Sequence, residues 1–203
     1  MAKKDPQVLR LKITLEHVEP APWREIEIRS DKTLPHLHDA IQAAFLWYDM
    51  HLWDFGIGDR KYQMKSEDFW VEPMWGPPVM EVTTKKVDFF LKTKVPPVIY
   101  TYDFGDDWMH RVELISKRSV VPNEPLPRFV GGQWATPPED IGGPPMYEAF
   151  KEAREDASHP EHDWAKEAGY VDWAHDEIHA DVVRERFTKL QTQKRRERNF
   201  WME

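Results

Sequence analysis

Three histidines, His38, His51 and His110, each fall on the apolar side of their own predicted element. Three imidazoles around an open position suit Zn²⁺ or another borderline divalent metal such as Mn or Fe, and Glu139 or Asp140 would add a carboxylate. A metal held in this way activates a bound water for hydrolysis. The same residues fit a second reading, in which each is a core histidine satisfied by a carbonyl, a tyrosine or an aspartate. Tyr102 is expected beside His110, and Tyr102, Trp108, Glu139 and Asp140 are the candidate ligand-contacting residues.

Other groupings carry weaker chemistry. The turn Asp103, Asp106 and Asp107 offers oxygen ligands of the kind Mg²⁺ or Ca²⁺ takes, but not at EF-hand spacing. Turn aspartates also satisfy turn amides, and strand alternation sends Asp103 to the face opposite Tyr102 and His110. The segment Pro137-Pro138-Glu139-Asp140-Ile141-Gly142-Gly143 presents two carboxylates from a stiff loop, either to a ligand or as a clamp that accepts backbone N–H bonds. His175 and His179 stand four apart, as a helical metal pair would. However, the zincin base directly follows the first histidine, whereas Glu177 lies two positions on, about 200° around a helix. The tryptophans offer stacking surfaces, with Trp75 and Trp134 in loops. No Gly-rich phosphate loop, GxSxG elbow or GxGxxG fingerprint occurs.

The elements that must position these residues follow from periodicity. Val8 to Glu16 alternates, with Leu9, Leu11, Ile13 and Leu15 on one face, and Pro20-Ala21-Pro22 turns the chain into a second strand, Arg24 to Ser30. Thr33 caps a helix to Phe45 whose apolar stripe, Leu34, Leu37, Ile41, Ala44 and Phe45, includes His38. A third strand places His51 on the side of Trp53, Phe55 and Ile57, with Lys61 to Met64 as a short partner. Residues 66 to 86, with Trp70, read as a covering loop, and Val87 to Leu91 as a strand. The segment YTYDFGDDWMH, from Tyr100 to His110, reads as a β-hairpin with a three-residue loop, Gly105-Asp106-Asp107. That loop pairs Phe104 with Trp108 and Tyr102 with His110, and puts Asp107 in the left-handed region.

Val121 to Pro145 holds seven prolines and four glycines and reads as a surface loop. Helices follow: Tyr147 to Ala157, then a short one opened by a capping box at Ser158-His159-Pro160-Glu161 and stopped by Gly169. A last helix directs Ile178, Val182, Val183, Phe187 and Leu190 inward. The fold class expected is α+β: a mixed, mainly antiparallel sheet with a ββαβ-type start, packed on one main helix and covered by the Pro-rich loop and C-terminal helices. Residues 1–150 form the core domain and 151–203 a helical extension packed on it, with a frayed basic tail over 191–203.

Composition narrows the function classes. A length of 203 residues with 40% hydrophobic content permits one sizeable core. The absence of cysteine excludes disulfides, thiolate nucleophiles and Cys-ligated zinc. A formal charge of −8 opposes a large nucleic-acid surface. The one basic run, Lys194 to Arg198, reads as a solvated helix end, with DNA binding through that tail as a further reading. No apolar run nears the roughly 18 residues of a membrane span, and the start of the chain leads directly into a strand, so a cytoplasmic location is expected.

WREIEI, TLPHLHDAIQAAFLW, HLWDF, YTYDFGDDWMH and PPEDIGG, in this order over roughly residues 8 to 190, resemble the plasmid pRiA4b ORF-3-like proteins. The resemblance implies a single α+β domain found in prokaryotic and mobile-element settings, without an assigned biochemical activity. Two positions depart from the family pattern. Where relatives often read HLH this chain has His51-Leu52-Trp53, and where they tend to carry cysteines before PPED it has Val130 and Thr136. A thiol-based role is thus closed to this chain. The first functional expectation is a binding or interaction module with a protein or small-molecule partner. The alternative is a metal-dependent hydrolase or nuclease with a His-rich site.

Overall fold

The computed structural model describes residues 5–64, 78–92, 94–167, 174 and 176–192. In chain order the elements are β1 (Gln7–Leu15), β2 (Trp23–Arg29), α1 (Leu34–Phe45), β3 (Trp53–Ile57), β4 (Arg60–Gln63), β5 (Val79–Glu81), β6 (Val98–Tyr102), β7 (Trp108–Ser119), β8 (Arg128–Gln133), α2 (Gly143–Glu155), α3 (His162–Glu167) and α4 (Ala180–Thr192). The alternation of β1 buries Leu9, Leu11, Ile13 and Leu15 completely while Arg10 and Lys12 face outward. One eight-stranded sheet results, ordered β5-β4-β3-β6-β7-β1-β2-β8. Its pairings are antiparallel except for the short parallel edge of β5 on β4. The fold is therefore α+β, as expected, with α1 lying across the inner sheet face.

Thr33 occupies the N-cap of α1 with extended backbone, but its hydroxyl bonds the His36 ring at 2.8 Å instead of capping an amide. Leu46 ends the helix in the left-handed region, at φ 60°. From α4, the Arg186 guanidinium donates to the Trp47 carbonyl at 2.8 Å and lies over the Tyr48 ring, which fastens the helix beside the loop that follows α1.

Further expectations change, beginning with the covering loop expected over residues 66–86, whose described end holds the edge strand β5. Val87–Leu91 is a 3₁₀ turn, because consecutive Phe89 and Phe90 are both buried, which alternation cannot achieve. The Pro-rich stretch contains β8, which pairs with β2 despite Gly131-Gly132. The glycine at 132 is what lets the buried Arg24 side chain pass: a Cβ there would sit 2.7 Å from Arg24 Cδ and from the Trp23 carbonyl oxygen. That guanidinium, held down to about 9 by burial, donates to the carbonyls of Ala44, Trp23 and Gln133 and to the Thr136 hydroxyl. Helix α2 begins at Gly143, ahead of Tyr147. The capping box does not form: the Ser158 hydroxyl donates to Asp156, the Glu161 N–H to the His159 ring, and α3 starts at His162. In α4, Val183, Phe187 and Leu190 are buried, but Val182 is exposed. Trp70, Trp75, Gly169, His175 and the basic run from Lys194 lie outside the described residues.

Candidate functional site

The β6-β7 hairpin keeps the inward row that alternation requires but moves its pairing by two residues. Tyr102 pairs with Trp108 and Tyr100 with His110, so the loop spans five residues, 103–107. Phe104, expected inward opposite Trp108, is 44% exposed, whereas Trp108 is 1% exposed. Asp107 is left-handed at φ 55°, as expected, and Asp103 adopts the same φ. That second left-handed residue ends β6 two positions early and shortens the ladder.

On the inner face, α1 meets the aromatic strands. His38 stacks on Trp53 with ring centroids 4.0 Å apart. With the ring proton on Nε2 facing the Asp49 carboxylate at 2.8 Å, Nδ1 accepts the Tyr100 O–H at 2.8 Å. The Tyr100 oxygen in turn accepts a Gln42 amide N–H at 3.0 Å, and the Gln42 carbonyl accepts the Asp49 backbone N–H at 2.9 Å. These four residues close a ring of hydrogen bonds. Burial raises the Tyr100 pKa well above the ordinary phenol range, so the hydroxyl keeps its proton.

His110 lies deeper, edge-on to Phe45 and Trp47 with centroids 4.8 and 5.1 Å away. Its Nδ1–H donates to the Trp108 carbonyl at 3.0 Å, and its Nε2 is buried without a partner. Burial holds its pKa down to about 3, so the ring is neutral at any ordinary pH.

Outside this layer, three loops meet at one end of the sheet. The Tyr102 hydroxyl donates to Glu139 Oε1 at 3.1 Å and accepts the Met50 N–H at 3.1 Å. The same Glu139 oxygen accepts the Tyr48 N–H at 2.7 Å. Burial first, then the neighbouring Glu139 charge, raises the Tyr102 phenol far above its usual range, and burial also raises the Glu139 carboxyl. Beside them His51 Nε2 lies 2.8 Å from Asp140 Oδ1 and 3.6 Å from Asp103 Oδ2. Asp103 Oδ1 is occupied by the Gly105 N–H at 2.9 Å, which leaves Oδ2 to face His51. Around this group Met50, Leu52 and Phe104 are exposed, Met50 by 73%.

The three histidines therefore do not present ligand atoms to one point. Both ring nitrogens of His38 are engaged, His110 is sealed in the core, and His51 belongs to the loop before β3, half-buried, instead of to the apolar face of a strand. Tyr102 and Trp108 are buried and offer no solvent face. Glu139 acts as the clamp its stiff loop suggests, and Asp140 reaches His51. Among the described residues one group of His, Asp and Glu brings three ligand atoms within 4.8 Å of one another: His51, Asp103 and Asp140. Strand alternation excluded Asp103 from this group, and only its left-handed backbone admits it. Asp49 and Gln42 were also missed. Gln42 follows His38 by four positions, a spacing that already implies a shared helix face. His179 lies immediately before α4, not within it, with Nδ1 3.6 Å from a Glu177 carboxylate oxygen.

An open cleft of ≈ 400 Å³ beside the hairpin loop is lined by His17, Asp106, Asp107, Pro144, Pro145 and Glu148. Its carboxylates are partly committed, since Asp106 accepts the Gly142 N–H and Glu148 the Glu19 N–H.

The order of motifs, the ββα opening and the hairpin-loop junction agree with a match to the family model for plasmid pRiA4b ORF-3-like protein over residues 7–184. The chain belongs to this family. A relative named "Uncharacterized protein y4hQ", from Sinorhizobium fredii (strain NBRC 101917 / NGR234), is 32% identical over 168 residues, which is 80% of this chain and 83% of the relative. The crystal structure of a protein of unknown function, MM3350 from Methanosarcina mazei Go1, superposes with a TM-score of 0.76 at 26% identity and covers 86% of this chain and 96% of that one. Family membership thus carries the α+β fold and no assigned activity. Among the described residues no helix is long and apolar enough to cross a membrane.

Proposed function

We propose that this protein is a binding module whose recognition face is the junction of the loop before β3, the β6-β7 loop and the Pro-rich loop at Glu139-Asp140. One observation carries the reading: two loops expose Met50, Leu52 and Phe104 next to His51 and Asp103, and a third brings Asp140 onto the His51 ring. Apolar side chains grouped about polar anchors on rigid loops are the composition of a recognition surface. The layer beneath supports it, since the His38, Tyr100, Tyr102 and Glu139 groups spend their hydrogen-bonding capacity on one another and on the loop backbone. A hydrolase built on three histidines would need those imidazoles free and convergent. The negative net charge favours a protein or small-molecule partner over nucleic acid.

The test is site-specific photo-crosslinking in the native host, with the reactive group at position 104 or, as a comparison, at Ile115, which is 50% exposed on β7. The expected result is a discrete adduct from position 104 that Leu52→Asp abolishes. No adduct at 104, or the same adduct from both positions, overturns the proposal.

A further inference from the structure

We propose that His51, Asp103 and Asp140 form a divalent-cation site of the Zn²⁺, Mn²⁺ or Fe²⁺ class. This inference stands independently of the partner reading. Metal–ligand bonds of about 2.0–2.2 Å place neighbouring ligand atoms roughly 3 to 3.5 Å apart. His51 Nε2 already lies 2.8 Å from Asp140 Oδ1 and 3.6 Å from Asp103 Oδ2, and all three atoms fall within 4.8 Å of one another. An ion seated among them replaces the His51–Asp140 hydrogen bond and draws together oxygens that already lie within 4.8 Å.

The donors are oriented before any ion arrives. The Gly105 N–H, at 2.9 Å, holds Asp103 Oδ1, so its second oxygen faces the imidazole. That carboxylate is 13% exposed and faces the His51 ring nitrogen at 3.6 Å. The His51 ring stands edge-on to Tyr102, centroids 5.8 Å apart, and Tyr102 is itself fixed by Glu139. Asp140 follows Glu139 directly, so the bonds from Tyr48 and Tyr102 to Glu139 anchor the backbone that carries it. Support of this kind around the ligands is what metal sites use to set affinity.

The donor set chooses the ion class. One imidazole nitrogen and two carboxylates match borderline divalent ions, whereas Ca²⁺ takes 6–8 oxygens. Two carboxylates also neutralise a 2+ charge. Asp140, 67% exposed, leaves one side of the site open to water or to a partner's oxygen. The ion would tie the loop before β3, the β6-β7 loop and the Pro-rich loop to a single point.

The experiment uses untagged full-length protein stripped with chelator and titrated by calorimetry with Zn²⁺ and with Mn²⁺, the Mn²⁺ titration repeated by electron paramagnetic resonance. The expected result is one equivalent bound, at least about tenfold weaker in Asp140→Asn, Asp103→Asn and His51→Gln, and unchanged in His179→Gln. Asp140 is exposed, so its variant keeps the fold, which circular dichroism verifies. Absence of binding tighter than about 1 mM, or equal affinity in wild type, Asp140→Asn and His51→Gln, overturns the site.

Discussion

The Tyr100 hydroxyl donates to His38 Nδ1 at 2.8 Å, and this bond joins the central strand β6 to the helix that covers it. Because the same oxygen accepts from Gln42, and His38 and Gln42 both hold Asp49, removing one atom strands several partners. Tyr100→Phe leaves the Gln42 amide and His38 Nδ1 buried and unsatisfied, which costs about 1–3 kcal/mol. Urea unfolding of Tyr100→Phe, His38→Gln and the double variant is expected to show non-additivity of roughly 0.5–3 kcal/mol, as contacting residues in one network do. Additive effects would show that the ring is not a cooperative unit.

His110 makes the fold sensitive to acid. Its folded pKa of about 3 lies below the unfolded value of about 6.5, so the unfolded chain binds a proton that the native core refuses. The stabilisation is fully present above the unfolded pKa and declines as pH falls from there toward 3. Wild-type stability is expected to drop more steeply between pH 6.5 and 4 than that of His110→Phe, measured by urea melts across the range. Parallel pH profiles would contradict the assignment.

Arg24 and Gly132 form a packing pair that the Pro- and Gly-rich segment gives little reason to expect. A Cβ at 132 would lie 2.7 Å from both Arg24 Cδ and the Trp23 carbonyl oxygen, and the Trp23 backbone cannot move without breaking the β2-β8 pairing. Gly132→Ala is expected to cost about 1–3 kcal/mol, as overpacking does. Gly131→Ala meets nothing within 4 Å and should be nearly neutral. Equal thermal shifts in the two variants would refute the clash.

What the sequence reveals follows from which forces are local. The strand β1, the stripe of α1 and the inward row Tyr100, Tyr102, Trp108 and His110 are written in side-chain periodicity, and they fold as the periodicity demands. β8 is not legible, because Arg128–Gln133 becomes a strand through the backbone that β2 offers it, a non-local cause. The hairpin register failed for a related reason. Parity fixes faces but not the choice between pairings two residues apart, and the left-handed backbone of Asp103 decides that choice. The same backbone feature turns the Asp103 side chain to His51, so the missed register and the missed ligand share one origin.

That register is open to a direct check through two aromatic residues four positions apart. If Phe104 paired with Trp108, both rings would share the core, and truncating either would cost several kcal/mol. In the observed pairing Tyr102 faces Trp108, and Phe104 sits in the loop, 44% exposed. Trp108 packs against Trp47 and Tyr147, so Trp108→Ala is expected to cost about 3–5 kcal/mol. Phe104→Ser is expected to stay within about 0.5 kcal/mol of wild type, since it alters a surface position with no core contact to lose. Denaturant unfolding of the two variants separates the registers: comparable losses restore the shorter loop, and a large loss confined to Trp108→Ala supports the five-residue one. The Phe104 variant also bears on function, because a folded protein of unchanged stability that no longer engages its partner assigns the ring to recognition.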